Sequence, residues 1–464
     1  MSTPHETVER ALALSRADGT VVIAEEESGV NIRWAGNSLT TNGVTRGRRL
    51  TVIATVGEAQ GAACGVVSRT AVSTEELEPL VRAAEEAARQ SPAAEDARPL
   101  VEGHAESADF TAPPAETSPA VFDGFAPSLG EAFTRARTGG RELFGYAEHS
   151  VVTTCLGTSA GLRLRHDRRT GSVEVNAKSH DRTRSAWAGV PTTDFRDVDP
   201  LALEADLARR LSWADRTVEL PAGRYETLLP PAAVADLMIY QYWVSEARKA
   251  AEGRSVFSSP GSGTRIGEKL TGLPMTLYSD PREPGLEAAP FVLAGPAEGF
   301  LSPAASVFDN GLPLERTDWM REGVLRQLPT TRFSAELTGL PVAPAVDNLV
   351  LDAGGSGSLD DLVAGTERGL LLTCLWYIRE VDPMTLLMTG LTRDGVYLVE
   401  NGEVTAAVNN FRFNESPVDV LARATGASRT ERCRPREWGD YFPRAAMPAL
   451  RVPGFNMSSV SPGV

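Results

Sequence analysis

Residues 391–413 read LTRDGVYLVENGEVTAAVNNFRF. Apolar and polar residues alternate along the stretch, which is the period of a strand with one buried face. The alternation breaks at Asp394-Gly395 and at Asn401-Gly402, dipeptides that supply the positive φ angles of tight hairpin turns. The stretch therefore predicts an antiparallel meander. Strand following strand through a two-residue turn leaves no room for a crossover helix, so the fold class it sets is α+β rather than a parallel, doubly wound sheet.

Working outward, the N-terminal half repeats the same pattern. Residues 4–17 have helical spacing. Four short alternating stretches follow, around Val21–Ala24, Gly29–Trp34, Leu50–Val56 and Ala63–Val67, and then a helix from Ser73 to about Gln90. Residues 91–120 are rich in Pro, Ala and Glu and hold neither period, which predicts a linker or surface excursion. From Ser128 the order returns: a helix to Thr138, strands near Gly145–Cys155, Leu162–His166, Gly171–Ser179 and Arg184–Ala188, and a helix near Leu201–Leu211. This is a candidate structural repeat without sequence identity. A further segment opens near Tyr225, with Pro230 and Pro231 at a helix start and Gly253 at its stop, and is strand-rich beyond. The division expected is 1–90, a linker over 91–120, 121–222, and a C-terminal domain over 223–464. Antiparallel sheets with flanking helices make up the N-terminal half.

At 464 residues the chain exceeds one hydrophobic core. Its 42% hydrophobic and 23% charged residues describe an ordinary folded protein. A net charge of −15 repels phosphate backbones and anionic headgroups, so neither nucleic acid nor a membrane surface is expected as a partner. The cysteines, Cys64, Cys155, Cys374 and Cys433, lie far apart with no CxxC pair, which fits a reducing compartment. The first residues lack a basic, then apolar leader, and the longest apolar run, Gly369–Ile378, falls short of the ~20 residues that span a bilayer. A cytoplasmic protein is expected.

Several motifs imitate chemistry. Gly157-Thr158-Ser159-Ala160-Gly161 matches a GxSxG nucleophile elbow, but a strand follows it where the elbow requires a helix, so Ser159 reads as a turn residue. Gly261-Ser262-Gly263-Thr264-Arg265-Ile266-Gly267 follows no strand and spaces its last glycine wrongly for a dinucleotide loop. Gly354-Gly355-Ser356-Gly357-Ser358 lacks the lysine of a phosphate loop and reads as a glycine turn with Ser358 capping an acidic helix start. Cys374 sits in an apolar run with no histidine in its segment and reads as core. The histidines, His5, His104, His149, His166 and His180, form no local metal motif.

Other stretches carry a resemblance. Gly253-Arg254-Ser255-Val256-Phe257-Ser258, Asp309-Asn310-Gly311-Leu312-Pro313, Gly369–Arg379, Val381-Asp382-Pro383, Thr389–Val396, Asn401-Gly402-Glu403 and Asn410–Asn414 occur in the order found in the TldD/PmbA (TldD/TldE) family of metallopeptidases. Asn37–Gly43 and Thr158–Leu162 extend the likeness loosely toward the N-terminus. In that family a TldD-type subunit holds zinc through a HExxxH motif just before the GxSVFSG-like stretch, with a cysteine near the C-terminus as a further ligand. The corresponding positions are Met238-Ile239-Tyr240-Gln241-Tyr242-Trp243, and neither the histidines nor the glutamate is present. Glu246 and Cys433 stand near positions where family members carry Glu and Cys.

The resemblance implies a PmbA/TldE-type subunit that binds no cofactor itself. It would pair with a TldD-like, zinc-bearing subunit and help enclose unfolded or precursor peptides for proteolysis. Tyr242, Glu246, Ser255 and Arg379 are the candidate peptide-lining residues, and no residue is assigned a catalytic role. Two other readings stay open: a peptide-binding scaffold whose exposed strands augment an extended ligand, and an independent hydrolase using Ser159 or Cys374.

Overall fold

The computed structural model describes residues 2–57, 61–103, 105–261, 263–296 and 305–461, so the expectations for His104 and Ser262 lie outside the described residues. The N-terminal half builds one sheet. Helix α1 (Pro4–Leu14) starts at Thr3, whose side chain and that of Glu6 form a reciprocal capping box. Strands β1 (Gly19–Ala35), β2 (Ser38–Val56) and β3 (Ala63–Thr70) follow in antiparallel order, then helix α2 (Leu77–Gln90). After the excursion come α3 (Phe125–Thr138), β4 (Arg141–Thr158), β5 (Arg163–Ser179), β6 (Ser185–Thr192) and α4 (Pro200–Trp213). The repeat expected from the sequence is thus present as element order. Its two copies join through antiparallel pairing of β1 with β4, giving a six-stranded sheet ordered β3-β2-β1-β4-β5-β6.

Each copy holds three long strands where the sequence suggested four short ones. Strand β1 runs without a break through Glu25–Ser28, because the charges in that stretch are matched across the ladder: Glu26 meets Arg48 at 3.0 Å and Glu25 meets Arg49. A polar interval that reads as a turn is here a cross-strand ion-pair ladder. In β5 the polar interval is satisfied within one face of the strand itself, where Asp167 receives the guanidinium of Arg165, two residues back, at 2.9 Å.

Alternation along β1 sorts the two faces. Val22, Ala24, Val30, Ile32 and Trp34 lie under the helices in two buried clusters, while Val21 and Ile23 turn the other way and pack with Ile53, Leu156 and Phe291. One face of the sheet is therefore roofed by helices and the other is turned toward the C-terminal half. The 91–120 excursion is strapped down beside β5: the Arg165 guanidinium donates to the carbonyls of Asp109, Ala112 and Pro113 at 3.2, 2.5 and 2.9 Å.

Beyond residue 216, two further sheets form among the described residues. The larger has ten strands, ordered Leu375–Asp382, Leu387–Thr392, Phe411–Glu415, Leu450–Val460, Gly223–Leu229, Arg368–Leu372, Val396–Glu400, Glu403–Val408 and Thr217–Val218, with Gly426–Ala427 alongside. The smaller runs Val324–Leu325, Thr317–Arg321, Thr276–Ser279, Leu349–Asp352, Ala445–Met447 and Glu431–Cys433. Most neighbours are antiparallel, as expected, though Gly223–Leu229 pairs in parallel with Arg368–Leu372 and Leu349–Asp352 with Ala445–Met447.

The meander is present only in its second half. Asn401 (φ 52°) and Gly402 (φ 83°) form the hairpin turn between Val396–Glu400 and Glu403–Val408. Asp394-Gly395 does not make a hairpin. It is a bend in a two-stranded ribbon, formed by 368–382 against 387–400, whose halves enter the sheet at separate places. Thr373 secures the bend by donating its N–H to the Gly395 carbonyl at 3.1 Å and its hydroxyl to the same oxygen at 3.0 Å. The two halves stand five strand spacings apart in the order, about 24 Å on a flat sheet. Residues 392–396 reach at most about 14 Å, so the sheet curls over on itself.

Inside this curled arrangement lies helix α5 (Pro231–Val244), with Pro at its first turn. Every residue from Ala233 to Trp243 is buried. A helix apolar on all sides is a core helix, and α5 contributes to the large cluster that joins both C-terminal sheets.

Candidate functional site

A cleft of about 1640 Å³ separates the unroofed face of the N-terminal sheet from the C-terminal half. Ile23, Thr51, His166 and Arg168, from β1, β2 and β5, form one side. The other side carries Tyr240 and Trp243 from α5, Ile378 to Glu380 from the ribbon, and Trp438, Tyr441 and Phe442. The sequence segments that meet here are far apart, so no local motif could announce the site.

Asp236 fixes the α5 wall. Its fully buried carboxylate accepts the N–H groups of Arg436, Glu437 and Trp438 at 3.1, 3.0 and 3.2 Å, while the Trp438 indole donates back to the Asp236 carbonyl at 2.9 Å. Burial pushes this carboxyl well up, against the pull of those N–H donors. Trp438 is thereby set beside Tyr240 and Trp243, with ring centroids 5.8 and 5.3 Å away. Glu437, oriented by the same turn, accepts from the N–H groups of Tyr377 and Ile378 at 2.9 and 3.2 Å and from Arg379 at 3.0 Å. It holds Tyr377 at φ 54°, a left-handed conformation rare for a bulky residue.

A zinc ion does not fit the side chains on α5. Met238 and Ile239 are fully buried and offer no metal-binding oxygen or nitrogen. Tyr242 is 2% exposed, donating its hydroxyl to the Val346 carbonyl at 3.0 Å and accepting the Val346 N–H at 2.8 Å. Trp243 closes the helix against Trp438 and Phe442. The Cys433 thiol points at the Ala445 carbonyl, 3.7 Å away, and burial pushes its pKa well up. Among the described residues no three His, Cys, Asp or Glu side chains gather as metal ligands.

His166 stands alone on the cleft wall. Its Nε2 is buried without a hydrogen-bond partner, and burial, reinforced by the nearby Arg444 and Arg168, lowers its pKa to about 4.

The remaining motifs have structural jobs. Ser159 occupies the turn between β4 and β5, where its hydroxyl accepts the Thr20 N–H at 3.0 Å. Cys374 is 1% exposed, and burial drives its thiol pKa well up, opposite to the shift a nucleophile needs. Ser358 caps the helix Leu359–Ala364 in a capping box with Asp361.

A scan against family models matches residues 222–459 to the PmbA/TldA metallopeptidase C-terminal domain. The chain belongs to the TldD/PmbA family. Solved structures share its fold over nearly the whole length at 15% identity. They are TldE from Thermococcus kodakarensis (TM-score 0.75, 97% of this chain and 98% of that one) and two proteins described as proposed modulators of DNA gyrase. Of these, the one from Thermotoga maritima gives 0.73 with 97% and 99% coverage, and the one from Bacteroides thetaiotaomicron gives 0.74 with 98% of both chains. No curated protein matches the chain by sequence.

The family's signature stretches prove to be scaffolding around the cleft. In the Asp309–Pro313 stretch, Asp309 accepts from the Arg332 side chain at 2.7 Å, and the Asn310 amide exchanges hydrogen bonds with the main chain of Ala294, 2.7 Å in each direction. Ser255 reaches the cleft wall and forms a turn with Phe257 and Ser258. Arg379 also reaches it, lying 4.4 Å from the Tyr377 ring centroid. Of the sequence-selected residues, the structure therefore gathers Trp243, Ser255 and Arg379 at the cleft. Tyr242 lies in the core behind it, and Glu246 sits apart from it, paired with Lys249 at 3.1 Å. Glu380, Trp438 and His166 went unselected because neither charge pattern nor spacing marks a residue whose neighbours come from other segments.

Proposed function

We propose that this TldD/PmbA-family chain is a TldE-type subunit that does no chemistry alone and pairs with a TldD-like, zinc-bearing subunit to form a peptidase for unfolded or precursor peptides. The observation that carries this reading is the interior of α5. At the positions where a zinc peptidase of this family places HExxxH, the helix presents Met238, Ile239 and Trp243, sealed in an aromatic and aliphatic core. Without ligands there is no metal-bound water, and no other residue described above is arranged to generate a nucleophile. The likeness of fold to TldE accords with the reading, as does a cleft large enough for an extended chain.

In this role the chain supplies shape and binding surface. The partner supplies the metal, which polarises the scissile carbonyl and activates water. Its place would be the cytoplasm: the described cysteines are all free, and no helix among the described residues is long and apolar enough to cross a membrane. Co-expression with a TldD-like chain bearing HExxxH tests the proposal. The two are expected to co-elute and to cleave an unfolded protein such as reduced casein, whereas this chain alone leaves it intact. Cleavage by this chain alone, or failure to associate, would overturn it.

A further inference from the structure

We infer that the cleft is a binding site for a basic side chain, lysine or arginine, of an extended peptide, with Glu380 as the anionic contact. The inference rests on the peptide-handling role proposed above and names the class of substrate it takes.

The charges on the cleft wall can be accounted for one by one. Each described cation facing the cleft already has a carboxylate: Arg168 has Asp347 at 3.8 Å, Lys249 has Glu246 at 3.1 Å, Arg254 has Glu252, Arg379 has Glu437 at 3.0 Å, and Arg49 has Glu25 at 3.9 Å. Asp309 is likewise taken by Arg332. Glu380 is the exception. Among the described residues its carboxylate has neither an ion pair nor a hydrogen bond, although it is partly buried and feels the field of Lys249. A partly desolvated carboxylate without a partner favours any cation that can reach it.

Its surroundings select what kind of cation. Glu380 lines the cleft together with the aromatic wall made by Tyr240, Trp243 and Trp438, and its charge acts on the Tyr240 phenol. Ile378 and Met384 line the approach, and Tyr441, 70% exposed, presents a ring at the rim. A small hydrated ion gains nothing from such walls. A long aliphatic stem ending in a positive head buries the stem against them, places the head on the carboxylate, and can stack on Tyr441. The chain's net charge of −15 favours approach of the same ligands.

The test uses the full chain alone and acetylated, amidated octapeptides of Ala and Gly with one central lysine, arginine, norleucine or glutamate, followed by calorimetry at low salt. Lysine and arginine peptides are expected to bind about tenfold tighter than the norleucine peptide. Glu380→Gln should bring the lysine peptide to within about twofold of norleucine, and Tyr441→Ala should weaken lysine binding while the fold, followed by circular dichroism, is unchanged. Equal binding of all peptides, no binding at all, or a basic preference that survives Glu380→Gln would overturn the inference. Failure of the subunit proposal would show differently, as activity of this chain without a partner.

Discussion

At the residue scale, His166 is a group on the cleft wall whose protonation is coupled to folding. Its ordinary pKa is 6.5 and its folded value about 4, set by burial and by Arg444 and Arg168. Between those values the unfolded chain binds more protons than the folded one, so stability is lost as pH falls through the window, by up to about 3 kcal/mol. His166→Gln removes that component. Urea midpoints measured at pH 7 and pH 4.5 are expected to fall less in the variant than in the wild type; an identical fall would show that His166 is open to solvent. The sequence could not have singled out this histidine, because Arg444 lies nearly three hundred positions away. By contrast, the lack of donors at Met238, Ile239 and Trp243 was legible at once, since a zinc motif is a local pattern on one helix.

At the element scale, the ribbon bend at Gly395 is where local sequence and tertiary structure part company. Asp394-Gly395 carries the signature of a hairpin turn, and its φ angles are indeed positive, 50° and 138°. The ladder partners, however, come from 368–382, which pairs continuously on both sides of the dipeptide. Turn chemistry reports the local dihedral angles and not which strands they join. The long strands β1 and β5 were missed for the mirror-image reason, since ion pairs, across the ladder in β1 and along the strand in β5, make a strand interior look like a loop. A side chain at Gly395 would place its Cβ 2.4 Å from the Thr373 hydroxyl at a φ that L-residues rarely adopt. Gly395→Ala should therefore cost on the order of 2 kcal/mol or more. Thermal unfolding should show a lowered midpoint, and an unchanged one would mean that the bend is not fixed by this contact.

At the scale of the whole molecule, three sheets and a buried helix cooperate to build a cleft, and that helix, α5, carries Met238, Ile239 and Trp243. The N-terminal sheet offers its unroofed face, the curled ten-stranded sheet offers its ribbon, and α5, pinned by Asp236 to the turn at 436–438, brings the aromatic wall between them. The class of fold and the element-order repeat were readable in advance because both follow from hydrophobic period and turn residues. The merging of the two N-terminal segments into one sheet was not, because the β1–β4 pairing joins strands more than a hundred residues apart. The central claim is that this architecture is kept for binding while the chemistry belongs to a partner. Elemental mass spectrometry on the chain purified alone tests that claim most directly. The account predicts zinc far below one ion per chain, even after dialysis against the metal; one tightly held zinc per chain would contradict it.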